Sequence, residues 1–386
     1  MGNKDKIMDI LNNGKIKSWC KNIEESALAQ VENIANFPHL FNYAALMPDC
    51  HTGAGVPIGS ILPVKNVIIP NAVGVDIGCG MSAVKLNLNI EQLPIDKLKA
   101  ILGNMRKAIP VGFDHHKHAQ SWEGFDLAPD IKIIKQELTS ARKQLGTLGG
   151  GNHFIEIQKD GNNNIWVMIH SGSRNFGYKI AEVYGKIARE ESNYGHHLDY
   201  LILDSYLGHE YFTAMNYACE FSFANREHMM NNITNIFKDH FSEINITIEE
   251  SYNIHHNYAN IETHFGAEVV VHRKGATSAK LNEFGIIPGS QGTCSYIVRG
   301  LGNSESYQSC SHGAGRVLSR TKAKESLNLD MEIAELNKKN ILHSIRYKRD
   351  LEESPNAYKN IDTVMEQQAD LIEIVYKLEP LAVLKG

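Results

Sequence analysis

Residues 71–81 read NAVGVDIGCGM, which sets one acid, Asp76, three positions before one thiol, Cys79, with Gly74, Gly78 and Gly80 around them. Glycines permit positive φ and close backbone approach, so this stretch is a shaped turn rather than the interior of a helix or strand. A carboxylate and a thiolate converging on such a turn suit a borderline transition metal. The plainer reading is a tight turn around a buried thiol, because free cysteine often serves as a small core residue.

Working outward, short apolar runs broken by Gly and Pro surround the turn: YAALMPD, GSILPVKNVIIP and MSAVKLNL. They read as short strands joined by turns. The first forty residues read as helical around ESALAQVENIANF, and a helix follows Pro94 over IDKLKAILGNMRKA. FIEIQKDGNNNIWVMIH reads as a hairpin with its turn at Asp160–Asn163. A long helix is expected over about residues 200–242, with its 210–223 aromatic stripe in the core. Strands return at AEVVVHR, FGIIPG and CSYIVRG. The C-terminal stretch reads as helical AYKNIDTVMEQQADLIEIVYKL followed by a strand, LAVLKG. The irregular alternation of helices and strands predicts an α+β fold. We expect one compact domain over residues 1–386, with a helical segment 1–40 packed on mixed and antiparallel sheets and the active site in a glycine-loop-lined cleft.

Composition excludes several classes. With 42% hydrophobic and 22% charged residues the 386-residue chain is ordinary globular protein, and its net charge of −5 excludes a general polyanion-binding coat. No apolar run approaches a membrane span, and the start is polar and charged. The six scattered cysteines (20, 50, 79, 219, 294 and 310) lack any CxxC, which fits reduced thiols and a cytoplasmic protein.

Five other glycine-framed or His-bearing loops share the texture of the opening stretch: MPDCHTGAG (His51), LGTLGGGNHFIEI (His153), MIHSGSRNFG (His170), NIHHNYANIE (His255, His256) and SCSHGAGRVLSR (His312). A lone His beside Gly is usually a hydrogen-bonded turn residue. The conjunction is harder to dismiss, because the hairpin can bring His153 and His170 together. Asp76, Cys79, His153, His170 and His256 suffice for two metal ions if the thiolate bridges them, and this ligand set suits Mn, Fe, Co or Zn better than Mg. The glycine loops also offer bare backbone N–H groups for anions. HGAGRVLSR reads as a loop feeding a helix start, and Arg174 and Arg316 as phosphate forks. Neither a Walker A pattern nor a helix-opening GxGxxG occurs. FDHHKH (113–118) is read as a solvated, non-catalytic loop, and RKGATSAKLNEFG as a solvated loop or an RNA-backbone patch.

Together these stretches resemble the RtcB family of RNA-splicing ligases. MPDCHTGAG, VGVDIGCGM, LGTLGGGNHFIEI, HSGSR, HHNY, RKGA, IPGSQG, SHGAGRVLSRTKA and VLKG recur in family order over about residues 40–386. The resemblance implies a cytoplasmic ligase that uses GTP and two Mn²⁺ ions. Its substrates would be RNA ends bearing a 3′-phosphate or 2′,3′-cyclic phosphate and ends bearing a 5′-hydroxyl; a protein activator is left open. It makes Cys79 the bridging thiolate, with Asp76 and His153 on one ion and His170 and His256 on the other. His312 resembles the nucleophile that takes GMP. Asn152, His153, Phe154, Ile155 and Glu156 would line the nucleotide site. So would His256, Asn257, Pro288, Gly289, Ser290, Gln291, Ser295, His312, Gly313, Ala314, Gly315 and Lys385. Arg174 would hold the RNA phosphate, with Asp49 assisting near the 5′-end. The chain departs from the pattern at Cys50, Ala54 and Gln291, and over 111–145. Two rival readings are a metallo-phosphoesterase that only opens cyclic phosphates and needs no nucleophilic His312, and a non-catalytic RNA-end binding module with eroded metal ligands. The intact SHGAGR and VLKG motifs weigh against the first, and the complete ligand set against the second.

Overall fold

The computed structural model describes residues 7–386. Two antiparallel-rich sheets form its frame. The six-stranded sheet runs Asp9–Leu11, Ile16–Ser18, Ala44–His51, Ile58–Val64, Ala267–Lys274, Asn257–His264, with only the second and third strands parallel. The seven-stranded sheet runs Ile248–His255, Gly80–Asn89, Asn164–Ser171, Phe154–Lys159, Ile372–Lys385, Ser295–Gly300, Phe284–Ile287, antiparallel throughout. Its two edges curl toward each other until the rings of Tyr252 and Phe284 lie 4.9 Å apart.

The strands Ile248–His255 and Asn257–His264 belong to different sheets and are separated by one residue, His256. The backbone of His256 is held on both sides, its N–H donating to Cys79 O at 2.8 Å and its carbonyl accepting from Ala276 N at 3.1 Å. The chain therefore switches sheets at a candidate metal ligand.

Glycines make that corner possible. Gly80 lies between Ser171 and His255 in the sheet, where a Cβ would meet Ile254 O at 2.0 Å. Gly78 has φ +71°, and a Cβ there would lie 2.9 Å from Cys219 Cα in the long helix. Any other residue at either position would push the turn off its supports.

The expected hairpin forms as Phe154–Lys159 and Asn164–Ser171. The Asp160 carboxylate accepts from Asn162 N, Asn164 N, Asn164 Nδ2 and Trp166 Nε1, and so fixes the turn. The long helix is Tyr206–His240, with Tyr211, Phe221, Met229 and Phe237 fully buried. Buried residues lie on most of its circumference, as expected of a helix enclosed by other elements.

Several sequence-based expectations are corrected. Residues 1–6 of the N-terminal segment lie outside the described residues, and the rest is not uniformly helical: Asp9–Leu11 and Ile16–Ser18 are strands, and among the described residues of the segment α-helix occupies only Glu25–Ala35. The expected C-terminal helix shrinks to Ile361–Glu366, and Ile372–Lys385 is one fourteen-residue strand. This strand pairs first with Ser295–Gly300 and then with Phe154–Lys159, and Pro380 is accommodated where its register shifts. Cross-sheet pairing overrides the helical period there. Helices Lys132–Gln144 and Arg174–Ser192 were not anticipated.

Candidate active site

The hairpin register places His170 opposite Phe154, one residue from His153, and beside Met81 of the next strand. The Cys79 Sγ consequently lies 3.3 Å from His170 Nε2 and 3.5 Å from His153 Nε2. His153 Nε2 is 3.0 Å from Asp76 Oδ2, and His170 Nε2 is 3.3 Å from His256 Nε2. Two donor sets result, Asp76–Cys79–His153 and Cys79–His170–His256, and Cys79 belongs to both.

The donors fit divalent ions on their chemistry. His153 Nδ1 lies 2.9 Å from the Leu148 carbonyl, so that nitrogen carries the proton and Nε2 is left as a lone pair facing the acid and the thiol. Burial, together with the Asp76 charge, pushes the Cys79 thiol well above its ordinary value. Burial also holds His170 and His256 well below theirs, so both imidazoles are neutral. For Asp76, burial acts upward, but the nearby Arg174 guanidinium helps bring the carboxyl below its ordinary range. Neutral imidazoles, one carboxylate and a thiol lacking any cationic partner within bonding distance among the described residues form a set that a cation reconciles.

A second layer holds the donors, and sequence reading missed it. Arg226 is fully buried in the long helix. It donates to Gly78 O, Ser171 O, Ser222 Oγ and Asn253 Oδ1 at 2.7–3.0 Å, and its Nη2 lies 3.2 Å from His255 Nδ1. Asn225 beside it ties Gly146, Thr147, Ser171 and Gly172. An Asn-Arg pair between Phe221 and Phe223 on one side and Met229 and Met230 on the other was the available signal.

The metal-type cluster opens into a cleft of about 670 Å³. Asn152, Phe154, Glu156, His256 and Asn257 line it, as do Pro288 to Gln291, His312 to Gly315 and Lys385. Three anticipated residues stand elsewhere, and of these His153 lies in the donor cluster with Asp76 and Cys79. Ile155 is buried in the apolar core, and Ser295 lies behind the wall, its Oγ accepting from Gly289 N and Gln158 Nε2. Glu156 is buried with Gln158 as its hydrogen-bond partner, and burial raises its carboxyl to about 8 despite the Gln158 bond and the Lys385 charge.

His312 sits at the junction of cleft and cluster, its ring centroid 4.8 Å from that of His256. Its Nδ1 is 2.7 Å from Asp49 Oδ2, which also accepts the backbone N–H groups of His312 and Gly313. Asp49 is fully buried, so it holds His312 from behind rather than facing the cleft for an RNA end.

Other expectations shift as well. Arg316 is not a free phosphate fork: Glu353 pairs with it at 3.2 Å, with Arg320 at 3.2 Å and with Lys385 at 3.8 Å. Helix begins only at Arg320, capped by Ser319, so the His312 loop does not lead directly into a helix N-terminus. Arg174 donates Nε to Thr147 Oγ1 and Nη2 to Gly112 O. RKGATSAKLNEFG is solvated only in its 280–284 part, since Arg273 and Lys274 are buried. Lys274 lines the cleft and donates to Ala54 O and Asn71 O, and burial lowers it to about 7. The 113–118 histidines belong to neither donor set among the described residues.

Comparison with known proteins agrees with this geometry. A family model described as tRNA-splicing ligase RtcB matches residues 30–128 and 123–386. RNA-splicing ligase RtcB of Escherichia coli strain K12 is 39% identical over 97% of this chain and 98% of its own length. The tRNA-splicing ligase RtcB of Thermococcus kodakarensis is 30% identical over 94% of this chain and 92% of its own. The RNA-splicing ligase RtcB homolog 1 of Entamoeba histolytica is 31% identical over 94% of this chain and 84% of its own. With the family model matching from residue 30 to residue 386 and these relatives matching 94–97% of the chain, the chain belongs to the RtcB family.

Proposed function

We propose that this protein is a cytoplasmic RNA ligase. It joins an RNA 3′-phosphate, or a 2′,3′-cyclic phosphate after opening by water, to a 5′-hydroxyl end at the cost of GTP, with two Mn²⁺ ions held by Asp76, Cys79, His153, His170 and His256. The observation that carries this reading is the Asp49–His312 pair beside the shared-thiolate cluster. An ionised Asp49 that accepts Nδ1–H leaves Nε2 of a neutral imidazole as the nucleophilic lone pair.

The bonds balance in three transfers. His312 Nε2 attacks the α-phosphorus of GTP, a P–N bond forms, and pyrophosphate leaves. An oxygen of the RNA 3′-phosphate attacks the same phosphorus, the P–N bond breaks, and His312 is restored. The 5′-hydroxyl then attacks the activated 3′-phosphate, loses its proton, and GMP departs with the P–O bond electrons. Bound divalent ions supply positive charge to phosphoryl oxygens and lower the pKa of a bound water or hydroxyl. The other work falls to the chain. Glu156 and Lys385 present an acceptor and a donor to a guanine edge, which carries N1–H and N2–H donors and the O6 acceptor. Arg174, with Nε and Nη2 already bonded, keeps Nη1 for an RNA phosphate.

The test uses α-labelled GTP with Mn²⁺, and RNA already carrying a 3′-guanylylated end. Wild-type protein should take up acid-labile label at His312. His312→Ala should fail to take label yet seal the activated RNA. Loss of both steps together would make His312 a metal ligand, and label mapped to another residue would refute its assignment as nucleophile.

A further inference from the structure

The 112–120 loop, outside the motifs that carry the family resemblance, sits against the candidate site. Gly112 N–H donates to Gly149 O at 2.9 Å, and Gly112 O accepts from Arg174 Nη2 at 2.8 Å. Gly149 lies in turn against His153 and Arg174: a Cβ on it would be 2.5 Å from His153 Nδ1 and 2.2 Å from Arg174 Nη1. The loop is pinned along its length, with His116 N–H on Lys143 O, Gln120 N–H on Arg142 O and His116 Nε2 3.2 Å from Gly146 O.

From this tethered loop Phe113 projects with its side chain wholly in solvent, at 102% exposure. Its Cα is about 3.8 Å from that of Gly112, whose carbonyl anchors Arg174. The residues that follow it in the loop are one acid, Asp114, and His115, His116, Lys117 and His118. Of these only His116 is partly buried.

A naked aromatic ring on a tethered loop, one residue from the carbonyl that anchors an arginine whose Nη1 has no hydrogen-bond partner among the described residues, has the chemistry of a single-stranded nucleotide site: a π face for the base and a cation for its phosphate. We propose that Phe113 is the stacking platform for an unpaired base next to the RNA end whose phosphate Arg174 holds. The proposal rests on the RNA-ligase reading and adds a specificity to it. Every base has a π face, so the platform is indifferent to sequence, but it demands an unstacked end. RNA ends that are frayed or looped are therefore preferred to ends closed in a blunt duplex.

The test is equilibrium binding without GTP, so that no ligation occurs. The probe is a short fluorescent single-stranded oligoribonucleotide with a 3′-phosphate, in Mn²⁺ buffer, compared with the same probe lacking its terminal bases. Phe113→Ala should weaken the intact probe about tenfold or more and the abasic probe hardly at all. Phe113→Trp should bind at least as tightly as wild type, with quenched tryptophan emission on the intact probe only. Unchanged affinity in Phe113→Ala, or equal losses on the two probes, overturns the proposal. So does a change in sedimentation of Phe113→Ala, which would make the ring a self-association contact. Melting temperatures of the variants control for folding. Failure of wild-type protein to take label from GTP is read separately, and it overturns the ligase reading rather than the platform.

Discussion

Asp49 Oδ2 and His312 Nδ1 lie 2.7 Å apart, and the same oxygen accepts the backbone N–H groups of His312 and Gly313. The carboxylate thus fixes ring orientation, tautomer and loop at once. Burial acts to raise Asp49, but the hydrogen bond from His312 and the Lys359 cation help bring it below the ordinary carboxylate range, so it is ionised at neutral pH. Asp49→Asn keeps the shape and removes the charge. The initial rate of GMP transfer to the protein should fall about a hundredfold or more, as when the acid of an acid–imidazole pair is made an amide. A variant as fast as wild type would show that His312 needs no orienting anion.

Cys79 belongs to both donor sets and Asp76 to one. Equilibrium dialysis against Mn²⁺ should find both equivalents lost in Cys79→Ala, and one lost in Asp76→Ala. Two equivalents bound at low micromolar Mn²⁺ by Cys79→Ala would end the shared-thiolate reading.

Glu156 gives a pH signature. Its folded value of about 8 exceeds the 4.5 of an unperturbed carboxyl, so between these values the folded protein holds a proton that the unfolded chain releases. The stability this group contributes is present in full below pH 4.5 and is lost as pH rises through 8. The melting temperature of nucleotide-free Glu156→Gln, relative to wild type, should therefore be more favourable at pH 8.5 than at pH 5. If Glu156 accepts guanine N1–H as proposed, its ionised form is the stronger acceptor, so GTP affinity in wild type should rise with pH up to about 8, and Glu156→Gln should flatten that rise. Parallel pH profiles in the two proteins would remove Glu156 from guanine recognition.

Arg226 is a stability prediction. Arg226→Met leaves Gly78 O and Ser171 O without this donor in a buried setting. The cost should be about 3 kcal/mol or more in denaturant unfolding. A loss below about 1 kcal/mol would mean that the carbonyls find other partners.

The donor set was legible because its chemistry is local. Glycine framing marked Cys79, and hairpin periodicity brought His153 to His170. What stayed hidden depends on pairings between distant segments. The role of Asp49 exists only because the Ala44–His51 strand packs beside the Ser309–Ser311 strand, which delivers the His312 loop. Arg226 reads as one more helical residue until the carbonyls it serves are known. Ile372–Lys385 carries apolar residues that satisfy both helical and strand periods, and only its two sheet partners decide between them. Arg316 was read as free because its partner, Glu353, lies 37 residues away.

The strand Ile372–Lys385 lies between Phe154–Lys159 and Ser295–Gly300, which have no direct pairing with each other. On the ribosome, the hairpin bearing His153 and His170 emerges more than two hundred residues before this keystone. Until it inserts, the sheet remains in two halves, each with an open edge available to wrong partners. Lys385 reaches the cleft only with that insertion, so a partly synthesised chain has no finished cleft wall. Translation order therefore leaves the cleft to be closed last, at the cost of a long interval in which the nascent protein needs shelter from aggregation.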